Sequence, residues 1–210
     1  MRAALDKKSE VASEEALKSL FDSFKEILPL KQHEKDEIRF IARQRTIRKR
    51  QFILQEDDIC KHYTFVVAGC FRMFSVDKKG GEHNIQFAAE NDWISDIGSF
   101  FSEKPSRLFI EAIEPAKILQ IEKKDLLKLY AESLKFNRNF RVIIENKYVE
   151  LQNRVLQNIS STAEERYIFF IEQYPHLSSR LPSTQIASYL GVTPEFLSKV
   201  RKTISTKRRS

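Results

Sequence analysis

Residues 183–204, STQIASYLGVTPEFLSKVRKTI, carry the most specific pattern in the chain. Two short helices that cross at a steep angle need a small residue at the crossing, a turn residue tolerant of left-handed φ, and apolar residues facing a shared core. With Ser183 in first position, Ala187 is the small residue at the fifth and Gly191 the turn at the ninth. Ile186, Leu190, Val192, Leu197 and Val200 supply the apolar face. Thr193 then caps the second helix, Pro194 takes the first helical position where its missing N–H costs nothing, and Glu195 falls in the favourable first turn. This is the template of a helix-turn-helix, whose second helix enters the major groove with its N-terminal residues leading. The chemistry is hydrogen bonding to DNA. Thr193, Glu195, Ser198 and Lys199 are placed to reach base edges, Glu accepting from cytosine N4 and Lys donating to guanine O6 or N7. Ser183, Thr184, Gln185, Arg201 and Lys202 suit phosphates, which position a protein without specifying sequence. An αα-hairpin with no nucleic-acid role is the plain alternative; the basic face of Ser198, Lys199, Arg201 and Lys202 argues against it.

The charge distribution supports a polyanion partner. The chain carries a net +7, and the segment from Arg180 to Ser210 holds seven basic residues against the single acid Glu195. That leaves about +1 on the first 179 residues, an ordinary balanced surface with a basic module attached. Lys207, Arg208 and Arg209 by themselves read more simply as a solvated tail.

One half-site is a weak grip, so the elements that precede the module matter. From Leu134 to Asn158 there is neither Pro nor Gly, and Phe136, Phe140, Ile144, Tyr148, Leu151 and Val155 step by three or four. That spacing predicts one long helix over 134–158 with a continuous apolar stripe. Its role is expected to be a homodimer seam that holds two recognition helices on half-sites about 34 Å apart. Packing wholly within one subunit is the alternative.

Upstream, Ser13 before Glu14 and Glu15 predicts the N-cap of an amphipathic helix through Leu17, Leu20, Phe21, Phe24, Ile27 and Leu28, ended by Pro29; a second short helix fits 33–43. Between Thr46 and Ile121 the pattern changes to β-type runs, 52–55, 63–69, 70–76, 83–89, 107–113 and 116–121, with a hairpin loop at Asp77–Gly81. Such a succession predicts a barrel, sandwich or roll. After Lys123 a short helix precedes the long one, and Ser160, Ser161 or Thr162 caps a further helix that stops at Pro175. The expected division is an effector domain over 1–133, the long helix over 134–158 and a DNA-binding domain over 159–210.

Composition narrows the remaining classes. With 210 residues, 41% hydrophobic and 31% charged, the chain can bury a core, and no apolar run approaches the about 20 residues of a membrane span. The opening MRAALDKKSE lacks the apolar run of a secretory signal, so a cytoplasmic location is expected. Cys60 and Cys70 are too few for a four-thiolate iron–sulfur or zinc site, and His33, His62, His83 and His176 are scattered, so neither a metal nor haem is expected. No phosphate loop or clustered nucleophile and base supports an enzyme.

A β-roll of about 100 residues, a long helix and a terminal helix-turn-helix ending in LSKVRK together resemble the Crp/Fnr family of bacterial transcription regulators. The resemblance runs from about Leu28 to Ile204 and includes FILQEDD before YTFVVAGCFRMFSV, the hairpin DKKGGEHNIQF, and NDWISDIGSFF before RLFIEAIEPAKILQI. It implies an α+β chain: a jelly-roll-like effector roll similar to cyclic-nucleotide-binding domains, a dimerisation helix and a helix-turn-helix lacking a full wing. It further implies double-stranded DNA with a palindromic operator as partner, with RNA polymerase a further candidate. Glu195 and Lys199 match the family's base-reading acid and base, whereas Pro194 stands where an Arg is common. Since the chain ends soon after Ile204, the basic residues 207–209 are a candidate replacement for the wing's phosphate contacts.

The effector site departs from the family. Members that bind cyclic nucleotides hold the phosphate and ribose with Gly-Glu followed ten residues later by Arg and then Ser or Thr, because a buried phosphate needs a guanidinium and a ribose hydroxyl a carboxylate. Here the pair reads Ser95-Asp96, and the spacing lands on Ser106 with Arg107 one position late. If Arg107 begins a strand, the offset turns it to the opposite face. The expectation is therefore an unknown effector other than a cyclic nucleotide; a cAMP- or cGMP-responsive activator and a ligand-independent interaction module are the alternatives.

Overall fold

A computed structural model describes the backbone of residues 10–207 and the side chains of residues 10–204. In order these form β1 (Glu10–Val11), α1 (Glu14–Lys25), α2 (Gln32–Ile41), β2 (Arg43–Ile47), β3 (Phe52–Leu54), β4 (His62–Ala68), β5 (Phe71–Val76), β6 (Glu82–Ala88), β7 (Trp93–Ile94) and α3 (Ile97–Ser102). There follow β8 (Phe109–Ala112), β9 (Ala116–Glu122), α4 (Lys123–Glu132), α5 (Leu134–Ser160), α6 (Ala163–Gln173), α7 (Pro175–Ser178), α8 (Ser183–Leu190) and α9 (Pro194–Lys207). No described helix is long and apolar enough to cross a membrane. The described residues divide into two compact units, one within residues 10–75 and 86–144, the other within residues 76–85 and 145–207. The division differs from the expected one in two respects: it cuts α5 rather than setting the helix apart, and it groups the tip of the β5–β6 hairpin with the C-terminal helices.

The first unit is built on the roll. Its sheets have strand orders β1-β2-β9-β4-β7 and β3-β8-β5-β6, and the resolved pairings are antiparallel. Alternation along β4 turns Tyr63 and Phe65 to one face and Thr64 and Val66 to the other. The first face receives the helices. Ser13 caps α1 by accepting from the Ala16 N–H at 3.3 Å, and the helix buries Leu17, Leu20, Phe21 and Phe24. Trp93 lies 4.9 Å from Phe140 and Tyr63 5.1 Å from it, while Phe24 meets Phe136 edge-on at 5.8 Å. Edge-on and tilted aromatic pairs of this kind add to their area burial. The buried Asn139 closes the arrangement, donating to the Leu28 carbonyl at 2.8 Å and accepting from the Leu28 N–H at 3.0 Å.

This packing corrects the expected seam. Phe136 and Phe140 are 0% and 1% exposed and belong to the aromatic core of their own subunit, because the start of α5 lies against the sheet. Ile144 is half-buried. Only farther along is the stripe open: Tyr148 is 61% exposed and Ile159 79%, with Leu151, Val155 and Leu156 also exposed.

The second unit contains the rest of α5, helices α6 to α9 and the hairpin tip. Thr162 and Glu165 form a capping box at the start of α6, which buries Phe170. At the turn of the helix-turn-helix, Gly191 has φ 68° and its N–H returns to the carbonyls of Ala187 and Ser188. No atom lies within 4 Å of a Cβ added there, so the demand for glycine is one of backbone conformation, not space. Ile186, Ala187, Leu190, Leu197, Val200 and Ile204 are buried. Arg208 and Arg209 lie outside the described residues, as does the side chain of Lys207.

Candidate nucleic-acid interface and effector site

The leading turn of α9 is open. Thr193, Pro194, Glu195, Phe196, Ser198 and Lys199 are all exposed, while Leu197 and Val200 hold the helix to its core. The Thr193 hydroxyl accepts from the Phe196 N–H at 3.2 Å, which fixes the first turn. The Glu195 carboxylate is held below the usual range by its own backbone N–H and by the Thr193 hydroxyl, so it is an acceptor at neutral pH. Thr184 and Lys202 are exposed as well. The structure thus gathers the expected base readers on the cap and first two turns, with Phe196 unassigned by sequence reasoning.

Three expected phosphate contacts, Ser183, Gln185 and Arg201, have internal duties. Arg201 is half-buried, its Nε 3.1 Å from the Tyr167 hydroxyl and its Nη1 2.7 Å from the Ser183 hydroxyl, so it braces α6, α8 and α9 together. Gln185 is engaged by the hairpin tip: Asn84 Nδ2 donates to its side-chain oxygen at 2.7 Å and to its backbone carbonyl at 2.9 Å. The Ser188 hydroxyl continues the clasp, accepting from the Asn84 N–H at 3.0 Å and donating to the Glu82 carbonyl at 2.7 Å.

Arg154 of α5 locks this clasp. Its guanidinium donates to the carbonyls of Ile85, of Asn84 at 2.8 Å and of Tyr189 at 3.2 Å, and it lies 4.0 Å from the centre of the Tyr189 ring. A planar fork reaches three carbonyls that a single ammonium does not. Arg154→Ala is expected to destabilise the C-terminal unit by about 2–3 kcal/mol, the range for bonds to a charged donor, and Arg154→Lys to recover little of it. Denaturant unfolding followed by aromatic fluorescence checks this; a loss under about 0.5 kcal/mol would show the clasp to be superficial. The hairpin loop itself is preformed, with Asp77 Oδ1 accepting from the N–H groups of Lys79 and Gly81 at 2.8 and 2.9 Å. Its pKa is lowered to about 2, first by the hydrogen bond to His83.

In the roll, Ser95, Asp96 and Ser106 satisfy one another's surroundings. Asp96 caps α3 by accepting from the Ser99 N–H at 3.1 Å, and its other oxygen accepts from the Ser106 hydroxyl at 2.7 Å. The Ser95 hydroxyl accepts from the Thr64 N–H at 3.1 Å. Ser106 is buried where the phosphate-binding pattern requires a guanidinium, and Arg107 is exposed. The family's phosphate-binding pattern is therefore not met at these positions. A cavity of about 560 Å³ nevertheless lies in the roll, lined by Leu54 and Ile110 on one side and by Arg45, Thr64, Ser95 and Gln120 on the other. Arg45 donates to Gln120 at 3.0 Å, and Gln120 to Thr64 at 3.1 Å. This chain of polar groups has no local signature, since it joins β2, β9 and β4, strands far apart along the chain.

The family model for the cyclic nucleotide-binding domain matches residues 44–133. No curated protein matches the chain in sequence. Among solved structures, FixK2 from Bradyrhizobium japonicum is similar with a TM-score of 0.68 at 21% identity, over 80% of this chain and 86% of that one. The c-di-GMP responsive global regulator CLP of Xanthomonas campestris also gives 0.68, at 11% identity over 84% and 93%. A transcriptional regulator of the Crp/Fnr family from Eubacterium rectale gives 0.65, at 14% identity over 85% of each chain. Residues 44–133 thus match the cyclic nucleotide-binding domain, in a chain with the fold of the Crp/Fnr-type regulators.

Proposed function

We propose that the protein is a sequence-specific, DNA-binding transcription regulator of the Crp/Fnr type. The observation that carries this reading is the N-terminal end of α9, where Thr193, Glu195, Ser198 and Lys199 stand exposed together above a buried apolar face. The fold shared with such regulators supports it. The protein acts as a homodimer through the open part of the α5 stripe, from Tyr148 to Ile159, and binds a palindromic operator. The roll takes a small effector other than a cyclic nucleotide in the Arg45–Thr64–Gln120 cavity, and α5 passes the change to the paired helix-turn-helix units.

Titration of a fluorescent duplex at rising salt tests the DNA-binding part. Affinity is expected to fall linearly on logarithmic axes, by about 10³-fold or more between 50 and 200 mM if about six phosphates are neutralised. Added cAMP or cGMP is expected to leave the curves unchanged. A salt-independent affinity would contradict the reading of α9, and a cyclic-nucleotide-dependent one the reading of the roll.

A further inference from the structure

Phe196 is the only aromatic residue of α9 and is 48% exposed, whereas its neighbour Leu197 is 1% exposed. About half of its surface is left open by the fold. Single exposed apolar side chains are common on protein surfaces, so exposure alone carries no meaning. Its place does. The Thr193 cap fixes Phe196 in the leading turn, one residue after Glu195 and three before Lys199. At 3.6 residues per turn these side chains lie on adjoining strips of the helix surface, and all three are exposed. A helix that presents Glu195 and Lys199 to base edges therefore carries Phe196 into the same groove. Pro194 beside it offers no polar group to compete there.

The major-groove edges of guanine, cytosine and adenine present hydrogen-bonding atoms, and thymine alone adds an apolar group, its C5-methyl. An aromatic ring in that groove has one good match. We infer that Phe196 packs on a thymine methyl and so specifies T at one position of each half-site, next to the bases read by Glu195 and Lys199. This rests on the reading of α9 as the base-reading helix.

The test uses the full chain and the duplex it selects from random DNA, with each T replaced in turn by deoxyuridine in both half-sites. Deoxyuridine removes the methyl and keeps every hydrogen-bonding group. One symmetric position is expected at which the replacement weakens wild-type binding about four-fold per half-site, the size of one buried methyl, and about 15-fold in all. Phe196→Ala is expected to bind the T and deoxyuridine duplexes equally, and Phe196→Leu, still apolar, to keep most of the difference. The inference is overturned if no position shows methyl dependence in the wild type, or if the dependence persists in Phe196→Ala. Failure to select any sequence is a separate result, which overturns the reading of α9 itself.

Discussion

Replacing Leu151 and Val155 together by glutamate is expected to make the protein a monomer and to weaken its binding to a two-half-site duplex by about 100-fold or more. Both side chains are about half exposed in the subunit, 51% and 49%, so the subunit does not depend on them for its own core. In a paired seam the half still exposed on each would be buried, at about 0.8–1.5 kcal/mol per side chain. Four such side chains in a two-fold seam amount to about 3–6 kcal/mol, a large share of the about 8 kcal/mol of a micromolar dimer. Four carboxylates facing one another add repulsion. Once the seam is lost the second half-site is no longer bound intramolecularly, and the avidity of paired sites goes with it. Sedimentation at micromolar concentration and a binding titration check the two effects together. A variant that stays dimeric would move the seam elsewhere; a monomer with undiminished affinity would remove the need for one.

The same stripe shows where sequence reasoning stops. Phe140 and Val155 belong to one apolar stripe, and both halves of α5 read alike as an amphipathic helix. What separates them is tertiary: Phe140 meets Trp93 and Tyr63 and is 1% exposed, while Val155 stays 49% exposed. Periodicity reports that a face is apolar, not which neighbour covers it. The helix-turn-helix was legible because its constraints are local. Ala187, Gly191 and the Thr193 cap each answer a demand made within a few residues. The departure at the phosphate-binding pattern was legible for a similar reason, since a one-residue offset reverses the face of a strand.

Long-range polar contacts were not legible. The strand β2, RQRTI, looks like a solvated run, yet Arg45 lines the roll cavity through its bond to Gln120, 75 residues away. The short helix α3 lies inside NDWISDIGSFF and is set by the Asp96 cap; its six residues are too few for a periodic pattern. The clasp between Asn84, Gln185, Ser188 and Arg154 joins segments some 70 to 104 residues apart. It takes Gln185 for the interior of the unit, and the Tyr167 and Ser183 hydroxyls do the same for Arg201. Polar side chains counted as phosphate contacts by type alone were in part structural.

The second large effect concerns Lys199. As an exposed ammonium on the leading turns of α9 it is placed to donate to guanine O6 or N7, and such a contact discriminates against the wrong base by about 1–3 kcal/mol. Two copies in a palindromic complex double that, so Lys199→Ala is expected to lose about 30-fold or more on the preferred duplex at a fixed salt concentration. The variant should unfold like the wild type, because Lys199 lies outside the buried face formed by Leu197 and Val200. A contact to phosphate alone would behave differently, weakening all sequences alike.

Selection from a random duplex library, run in parallel with the wild type and Lys199→Ala and read by sequencing, tests this most directly. The wild type is expected to enrich a palindrome with half-sites centred about one helical turn apart, and Lys199→Ala to lose preference at one symmetric position only. Libraries that emerge from both proteins without a shared motif would contradict the account.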